Sequence, residues 1–295
     1  VTDVPKPMDV FTSHRPLLFS IAYEILGSVA DAEDVLQDSY LRWQTVDETS
    51  VKNPRAYIAQ IVTRQSLSAL RSAARRREEY VGPWLPEPLD TDPNRAPDGV
   101  THLLTGEAVT TAMLLVLESL TPTERAVFVL REVFDFGYAE IAAAVGKSEP
   151  AVRQVNHRAR NHVHARRQVA VAAPKEAQSV AERFMVAAAT GDVQSLMDVL
   201  APEVVFIGDG GGKVTAVMRP VRGADKVGRL VRGLLEKGAR MGEVDVRVGV
   251  YNGMPAVIGL LDGELDQVTC IEVRGGLVTA LYCTRNPDKL KAVRI

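Results

Sequence analysis

The chain has 295 residues, 46% of them hydrophobic and 24% charged, and its net charge of −2 averages over segments of opposite sign. That length suits about two domains of roughly 150 residues each, and the composition is that of a globular protein with a well-buried core. No run of about 18 apolar residues suggests a membrane span, and the stretch 1–19 is too broken by proline and charge for a secretory signal, so a soluble, cytoplasmic chain with no membrane partner is expected.

From residue 10 to about 80 the apolar residues recur at helical spacing and glycine is nearly absent. Ser28, with Asp31 three residues on, is a plausible helix cap. In the helix that follows, Val35, Leu36, Tyr40 and Trp43 would face a core, leaving Glu33, Asp34, Gln37 and Asp38 outside. On composition alone such an acidic face is a solvated one. Downstream the charge reverses, with Arg64, Arg71, Arg75, Arg76 and Arg77 on the next helix and its end, a pattern that suits phosphate contacts and also complements the helix dipole.

The stretches DAEDVLQDSYLRW and NPRAYIAQIVTRQSLSALR resemble the second conserved region of the extracytoplasmic-function sigma factors, a branch of the bacterial sigma-70 family. The resemblance implies that residues 1–80 bind core RNA polymerase, with Asp34, Gln37 and Asp38 meeting the clamp helices of its largest subunit. It also implies that the next helix opens and reads the minus-10 element of promoter DNA, through Arg64, Gln65, Arg71 and Arg75. Where several relatives carry Asn for a flipped base, this chain has Arg64.

The run VGPWLPEPLDTDPNRAPDG holds five prolines and two glycines in nineteen residues, which no regular element tolerates. It reads as an extended linker, placed at 81–105, in which Trp84 anchors on an apolar surface.

Helical pattern resumes at 106–170. Thr121, Pro122 and Glu124 form a capping box with proline at the first helical position. Then YAEIAAAVGKSEPAVRQVNHRARNHV gives a short helix, a turn at Gly146, a second start at Ser148 and a longer helix. Ile141, Ala142, Val145, Val152, Val155, Ala159 and Val163 form the apolar seam of a helix-turn-helix. From Ala151 to Gln168 there are five arginines, three histidines and no acid, the composition of a DNA-reading helix. Its exposed face would carry Arg153, Gln154, His157, Arg158 and Arg160. Arg bonds guanine and Gln bonds adenine in the major groove, so Arg153 and Gln154 are the best base readers. The stretch is similar to the fourth conserved sigma region, in which this helix reads the minus-35 element.

At 175–295 the pattern becomes two helices, an apolar run 204–207, a run 214–221, a third helix and four β-rich runs separated by Asn252-Gly253, Asp262-Gly263 and Gly275-Gly276. These turn pairs are hairpin signals, so the region is α+β with helices on a mostly antiparallel sheet. Two cysteines exclude a disulfide framework and a Cys-rich zinc site. With Gly275-Gly276 as a two-residue turn, Cys270 should oppose Leu281, and Cys283 should lie diagonally on the same face, both thiols reduced. The loop IGDGGGK is not a phosphate-binding loop. The required first Gly falls on Ile207, the required Ser/Thr on Val214, and strands flank it on both sides.

This last region resembles the SnoaL-like branch of the NTF2-like superfamily, a curved sheet around a pocket, and the whole chain looks like a member of the ECF41 group of sigma factors. Three motifs carry the closer resemblance: WLPEP with Trp84 and Pro86; DGGGK with Asp209, Gly210, Gly211 and Lys213; and NPDKL with Asn286, Asp288 and Lys289. The resemblance implies that the fused domain tunes the sigma regions in cis, these motifs forming an interdomain latch, and that its pocket offers room for a small ligand. No histidine follows His164, which removes the usual general base. No catalytic residue, metal or cofactor is expected. The alternatives are a one-component, ligand-sensing helix-turn-helix regulator and a DNA-binding protein with an active SnoaL-like enzyme domain. The first leaves the acidic and arginine-rich helices without a role.

Overall fold

The computed structural model describes residues 7–92, 110–166, 172–190 and 192–294, without the side chains of residues 7–9, 48, 73–78, 166 and 193. Residues 93–105 of the expected linker, and 106–109 and 167–170 of the region after it, lie outside the described residues. Two compact units result, one containing 7–78 and 113–166, the other 79–92, 110–112 and the described residues from 172 onward.

The first unit is helical: α1 (Pro7–Leu26), α2 (Val29–Trp43), α3 (Pro54–Glu78), α4 (Thr111–Glu118, whose first two residues belong to the second unit), α5 (Pro122–Phe128), α6 (Tyr138–Val145) and α7 (Glu149–Arg166). The caps fall where the side chains require them. Ser28 accepts from the Asp31 amide at 3.1 Å, and Thr121 and Glu124 form the reciprocal box. Gly146 ends α6 at φ +67°, a left-handed value that favours glycine and lets the chain turn directly into α7. Around Leu18, Ile21, Ile25, Trp43, Ile58 and Val62 the first three helices share a buried core, and α6 and α7 close over Ile141, Val152 and Ala159. Helix α6 also packs against α3, so both helical regions form one body.

The second unit runs α8 (Pro174–Thr190), α9 (Val193–Val199), β1 (Leu200–Asp209), β2 (Val221–Arg222), α10 (Ala224–Met241), β3 (Val244–Tyr251), β4 (Met254–Leu261), β5 (Glu264–Arg274), β6 (Leu277–Thr284) and α11 (Pro287–Leu290). The element order is the expected one, and the sheet order is β2-β1-β6-β5-β4-β3, antiparallel except for β1 with β6. All three hairpin turns carry two residues of positive φ, such as Asn252 at 49° and Gly253 at 63°, which matches the twist of the strands they join. Ala177, Val180 and Phe184 of α8 pack with Val273, Val278 and Leu281 of the sheet.

Two expectations need correction. Of the run 214–221 only Val221 enters a strand, since the Thr215 carbonyl is taken by the Arg285 side chain and not by a ladder. In the β5–β6 hairpin the pairing begins as expected with Arg274 opposite Leu277, but a bulge next to Val273 shifts it by one residue. Cys270 therefore opposes Tyr282 and Thr269 opposes Cys283, which puts the two free, buried thiols on opposite faces of the sheet.

Candidate functional site

In the first unit α2 divides as its spacing requires. Val35, Leu36 and Trp43 are buried, while Asp34, Gln37 and Asp38 are exposed, Gln37 and Asp38 lying three and four positions after Asp34 on the same side of the helix. Glu33 is not part of that free surface, because it pairs with Arg15 at 2.5 Å.

The arginines of α3 have different surroundings. Arg64 donates from Nη2 to the Ala143 carbonyl at 2.7 Å and from Nε to that of Ala144 at 3.3 Å, so its guanidinium covers the C-terminal end of α6. Gln60 adds a bond to the Ala143 carbonyl at 3.1 Å, and the Arg55 guanidinium lies 4.8 Å from the Phe136 ring centre. These orphan carbonyls at a helix end carry partial negative charge, which is what a cation complements. Arg71 is exposed and bonds the Leu67 carbonyl of its own helix, at 3.2 Å. With its amide oriented to satisfy both groups, Gln65 accepts from Arg42. The side chain of Arg75 lies outside the described residues.

On α7, Arg153, Gln154, His157, Arg158 and Arg160 are all exposed, opposite the buried seam of Val152, Val155, Ala159 and Val163. Acids on other turns and helices modulate this basic face. Glu149 pairs with Arg153 at 3.2 Å, Glu124 with Arg158 at 3.6 Å and Glu132 with Arg160 at 3.7 Å. Arg153 also stacks over Tyr138, 4.3 Å from the ring centre.

In the second unit the three motifs meet at one carboxylate. Asp209 ends β1 with its side chain fully buried, and Oδ1 accepts from the Tyr80 hydroxyl at 2.5 Å and the Gly211 amide at 3.1 Å. Its Oδ2 accepts from the Leu85 amide at 2.8 Å and from Lys289 Nζ at 2.7 Å. Lys289 also donates to the Leu85 carbonyl at 2.5 Å and lies over the rings of Trp84 and Tyr80, at 4.2 and 4.8 Å. A buried ion pair is tolerable only when its remaining donors and acceptors are satisfied, and here backbone, hydroxyl and aromatic faces do so. Burial, and then the Asp209 carboxylate, hold the Tyr80 hydroxyl far above its usual range, so it stays a donor.

Asn286 fills both roles open to it. Its Oδ1 caps α11 by accepting from the Asp288 amide at 3.1 Å, and its Nδ2 donates to the Tyr80 hydroxyl at 2.8 Å. Gly211, at φ +59°, has no room for a side chain: an added Cβ would lie 2.2 Å from Asn286 Nδ2. At Gly210 an added Cβ would lie 2.5 Å from the Val214 carbonyl oxygen. Pro86 is buried beside these groups in the chain, and Lys213 closes the exposed rim in an ion pair with Asp288.

Tyr80 and Thr91 take part without having been singled out from the sequence, and Leu85, known only as part of WLPEP, and Asn252, known only as a turn residue, have roles that it did not assign. Asn252 is buried, accepts from the Leu89 amide at 2.9 Å, returns its own amide to the Leu89 carbonyl at 2.9 Å, and donates to Thr111 at 3.1 Å. Thr91 donates its amide to the Val250 carbonyl at 2.9 Å. Asn252-Gly253 read as a hairpin turn, and it is one, but the same Asn also grips the segment 87–91.

A cleft of about 550 Å³ opens between α10 and the sheet, with Phe206, Val217, Leu235 and Leu260 among its apolar walls. Its polar groups centre on Arg285, which pairs with Asp266 at 2.5 Å and bonds the Thr215 carbonyl at 2.6 Å. No His/Cys/Asp/Glu group among the described residues could hold a metal ion, and none of their helices is long and apolar enough to cross a membrane.

Residues 10–76 match the family Sigma-70 region 2, and residues 110–163 match Sigma-70, region 4. The chain is 41% identical over 288 residues to the ECF RNA polymerase sigma factor SigJ of Mycobacterium tuberculosis, covering 95% of this chain and 91% of that protein. It is 29% identical over 285 residues to the probable ECF RNA polymerase sigma factor SigI of the same species, covering 96% and 94%. The crystal structure of the Mycobacterium tuberculosis extracytoplasmic function sigma factor SigJ superposes with a TM-score of 0.78 at 35% identity, covering 95% of this chain and 96% of that one. An acidic helix face, a basic helix-turn-helix and likeness over 95% of the chain lead to one assignment: the chain belongs to the ECF RNA polymerase sigma factors.

Proposed function

We propose that the second unit tunes this sigma factor in cis by holding the chain segment that follows the promoter helix. The single observation that carries the reading is the burial of Asp209 among Tyr80, Leu85 and Lys289. The held segment starts at residue 79, directly after α3 ends at Glu78, so whatever releases the latch frees the tether of the minus-10 helix. In this reading Asp34, Gln37 and Asp38 meet the polymerase clamp helices. Arg64, Gln65, Arg71 and Arg75 serve the minus-10 element, and Arg153, Gln154, His157, Arg158 and Arg160 the minus-35 element. The work is done in the cytoplasm with core polymerase, and the second unit acts as a contact module without catalysis.

The test is promoter-specific transcription by core RNA polymerase with the full chain, the Asp34→Ala/Gln37→Ala/Asp38→Ala variant and the Asp209→Ala variant. The triple variant is expected to lose polymerase binding, and Asp209→Ala to change transcript yield while binding polymerase as before. Equal yields from the native chain and Asp209→Ala would refute cis control. A chain that binds operator DNA but never stimulates polymerase, with or without the latch, would favour the one-component regulator.

The cleft supports a second reading, a small-ligand site coupled to the latch. Its volume falls in the range of ligand pockets, and Arg285 lies on both paths: its side chain enters the cleft while its amide donates to the Asp209 carbonyl at 2.7 Å. An apolar anion such as 1-anilinonaphthalene-8-sulfonate should bind with its sulfonate at Arg285. Binding that is unchanged by Arg285→Gln and Leu235→Glu would dismiss this reading.

A further inference from the structure

The strand β3 forms the outer edge of the sheet, and its register with β4 runs without a break from Val244 opposite Leu261 to Tyr251 opposite Met254. Edges of this kind are normally blunted by proline, by a bulge or by a covering segment, because their free amides and carbonyls template further pairing. Only the far end of β3 is covered among the described residues, where the Thr91 amide bonds the Val250 carbonyl. That bond shows that the Val250 carbonyl points away from β4. In an antiparallel strand the direction alternates, so the backbone groups of Val248, Val246 and Val244 point outward too. These three residues are 53%, 49% and 42% exposed, which is high for three valines on one face of a strand.

We propose that this edge is an interface between two copies of the chain, with β3 pairing antiparallel to β3 about a two-fold axis at Val246. The charges decide both partner and register. Asp245 and Arg247 flank Val246 on the other face, and each is more than half exposed in a pair within the strand, Nε to Oδ2 at 3.2 Å. About that axis Asp245 faces Arg247 of the second copy, and Arg247 faces its Asp245, so the strand is its own complement. The register also places Val246 opposite Val246 and Val244 opposite Val248, the positions whose backbone groups point outward. Any shift by one residue would oppose outward to inward groups and lose the ladder. On the valine face the pairing also extends apolar surface next to α10, where Gly238 approaches Val244 closely enough that an added Cβ would lie 3.4 Å from Val244 Cγ2. The proposal does not depend on how the second unit acts on promoters.

The test is the mass of the full-length chain by sedimentation equilibrium over a concentration series. The native chain is expected to pass from monomer to dimer. Val246→Lys should remain monomeric with an unchanged circular dichroism spectrum, since it sets two cations against each other on the axis. Asp245→Arg alone should weaken association at least tenfold, and Asp245→Arg with Arg247→Asp should restore it, because the swapped charges again meet across the axis. A chain that stays monomeric at every concentration up to its solubility limit would overturn the proposal. So would a dimer that survives Val246→Lys, or a double charge swap that stays as weak as the single one.

Discussion

Asp209 and Lys289, 80 residues apart in the chain, meet at 2.7 Å with side chains 0% and 7% exposed. Breaking such a buried pair leaves an uncompensated charge, so Asp209→Ala should cost about 3–5 kcal/mol in the unfolding of the second unit. Asp209→Leu with Lys289→Met, which removes both charges, should recover part of that loss while leaving the Leu85 and Gly211 amides and the Tyr80 hydroxyl without their Asp209 acceptor. Hydrogen exchange of residues 79–92 separates the two effects. Stability returns in part in the double variant, but fast exchange at Leu85 remains.

Gly211→Ala should act through the same latch without touching a charge. The alanine would need a left-handed backbone at φ +59°, and its Cβ would displace Asn286 Nδ2 from Tyr80. A loss of about 1–3 kcal/mol is expected by chemical denaturation, whereas Gly263→Ala, with φ of +81° and open space around it, pays the backbone strain alone. Equal losses at the two glycines would mean that Asn286 and Tyr80 yield freely.

Glu24 sets a pH dependence in the first unit. Burial pushes its carboxyl up to about 8, against the smaller opposing pull of Arg125, and among the described residues neither of its carboxylate oxygens has a hydrogen-bond partner. The folded chain therefore holds a proton that the unfolded chain, titrating near 4.5, has released. In that window the native state binds more protons, so stability falls as pH rises from about 4.5 to about 8, with a contribution of at most about 1.4 kcal/mol per pH unit. Glu24→Gln should remove this slope. Denaturation midpoints of the two proteins are expected to agree near pH 4.5 and to diverge in favour of the amide by pH 8.

The thiols offer a simpler check. Burial pushes Cys270 up to about 12 and Cys283 up to about 11, so both are protonated at neutral pH, Cys270 away from the cleft and Cys283 on its lining. Iodoacetamide at pH 8 is expected to leave Cys270 unmodified in the native chain, to label Cys283 slowly at most because its thiol stays protonated, and to label both in denaturant, as mass spectrometry would read.

Where local chemistry decides an element, the sequence was enough. The cap at Ser28, the box at Thr121 and Glu124, the turn at Gly146 and the three hairpins all depend on residues within a few positions of one another. The exposed faces of α2 and α7 followed from helical spacing alone. Local pattern could not give where distant segments meet. By itself Asp209 was the start of a glycine loop, and it was the family resemblance that implied a meeting of DGGGK with WLPEP and NPDKL. Neither marked Tyr80 or showed that the Leu85 amide, more than 120 residues earlier, would supply a donor to the Asp209 carboxylate. The bulge beside Val273 was equally hidden, because a one-residue shift depends on packing across the sheet and leaves no mark in the turn pair that sets the hairpin. The acids that face the arginines of α7 come from Glu124 and Glu132 as well as from Glu149, so counting charges along one helix overstated how bare that surface is.

Those acids lead to the last prediction. Arg153, the first base reader expected on α7, is 58% exposed yet occupied by Glu149 and by the Tyr138 ring. An exposed ion pair is worth about 0–1 kcal/mol, so promoter DNA can displace it, but Glu149 also sets a negative charge against incoming phosphates. Glu149→Ala should therefore tighten binding to a minus-35 duplex several-fold at low salt, with the gain shrinking as salt rises. Arg153→Ala should weaken binding by about 1–3 kcal/mol at sequences with guanine at the contacted position and hardly at all at others. Arg160→Ala, if Arg160 takes a phosphate, should weaken every sequence alike and flatten the salt dependence. Fluorescence anisotropy with a set of single-base duplex variants reads all three. A uniform loss for Arg153→Ala would remove it from base reading and make it one more phosphate contact.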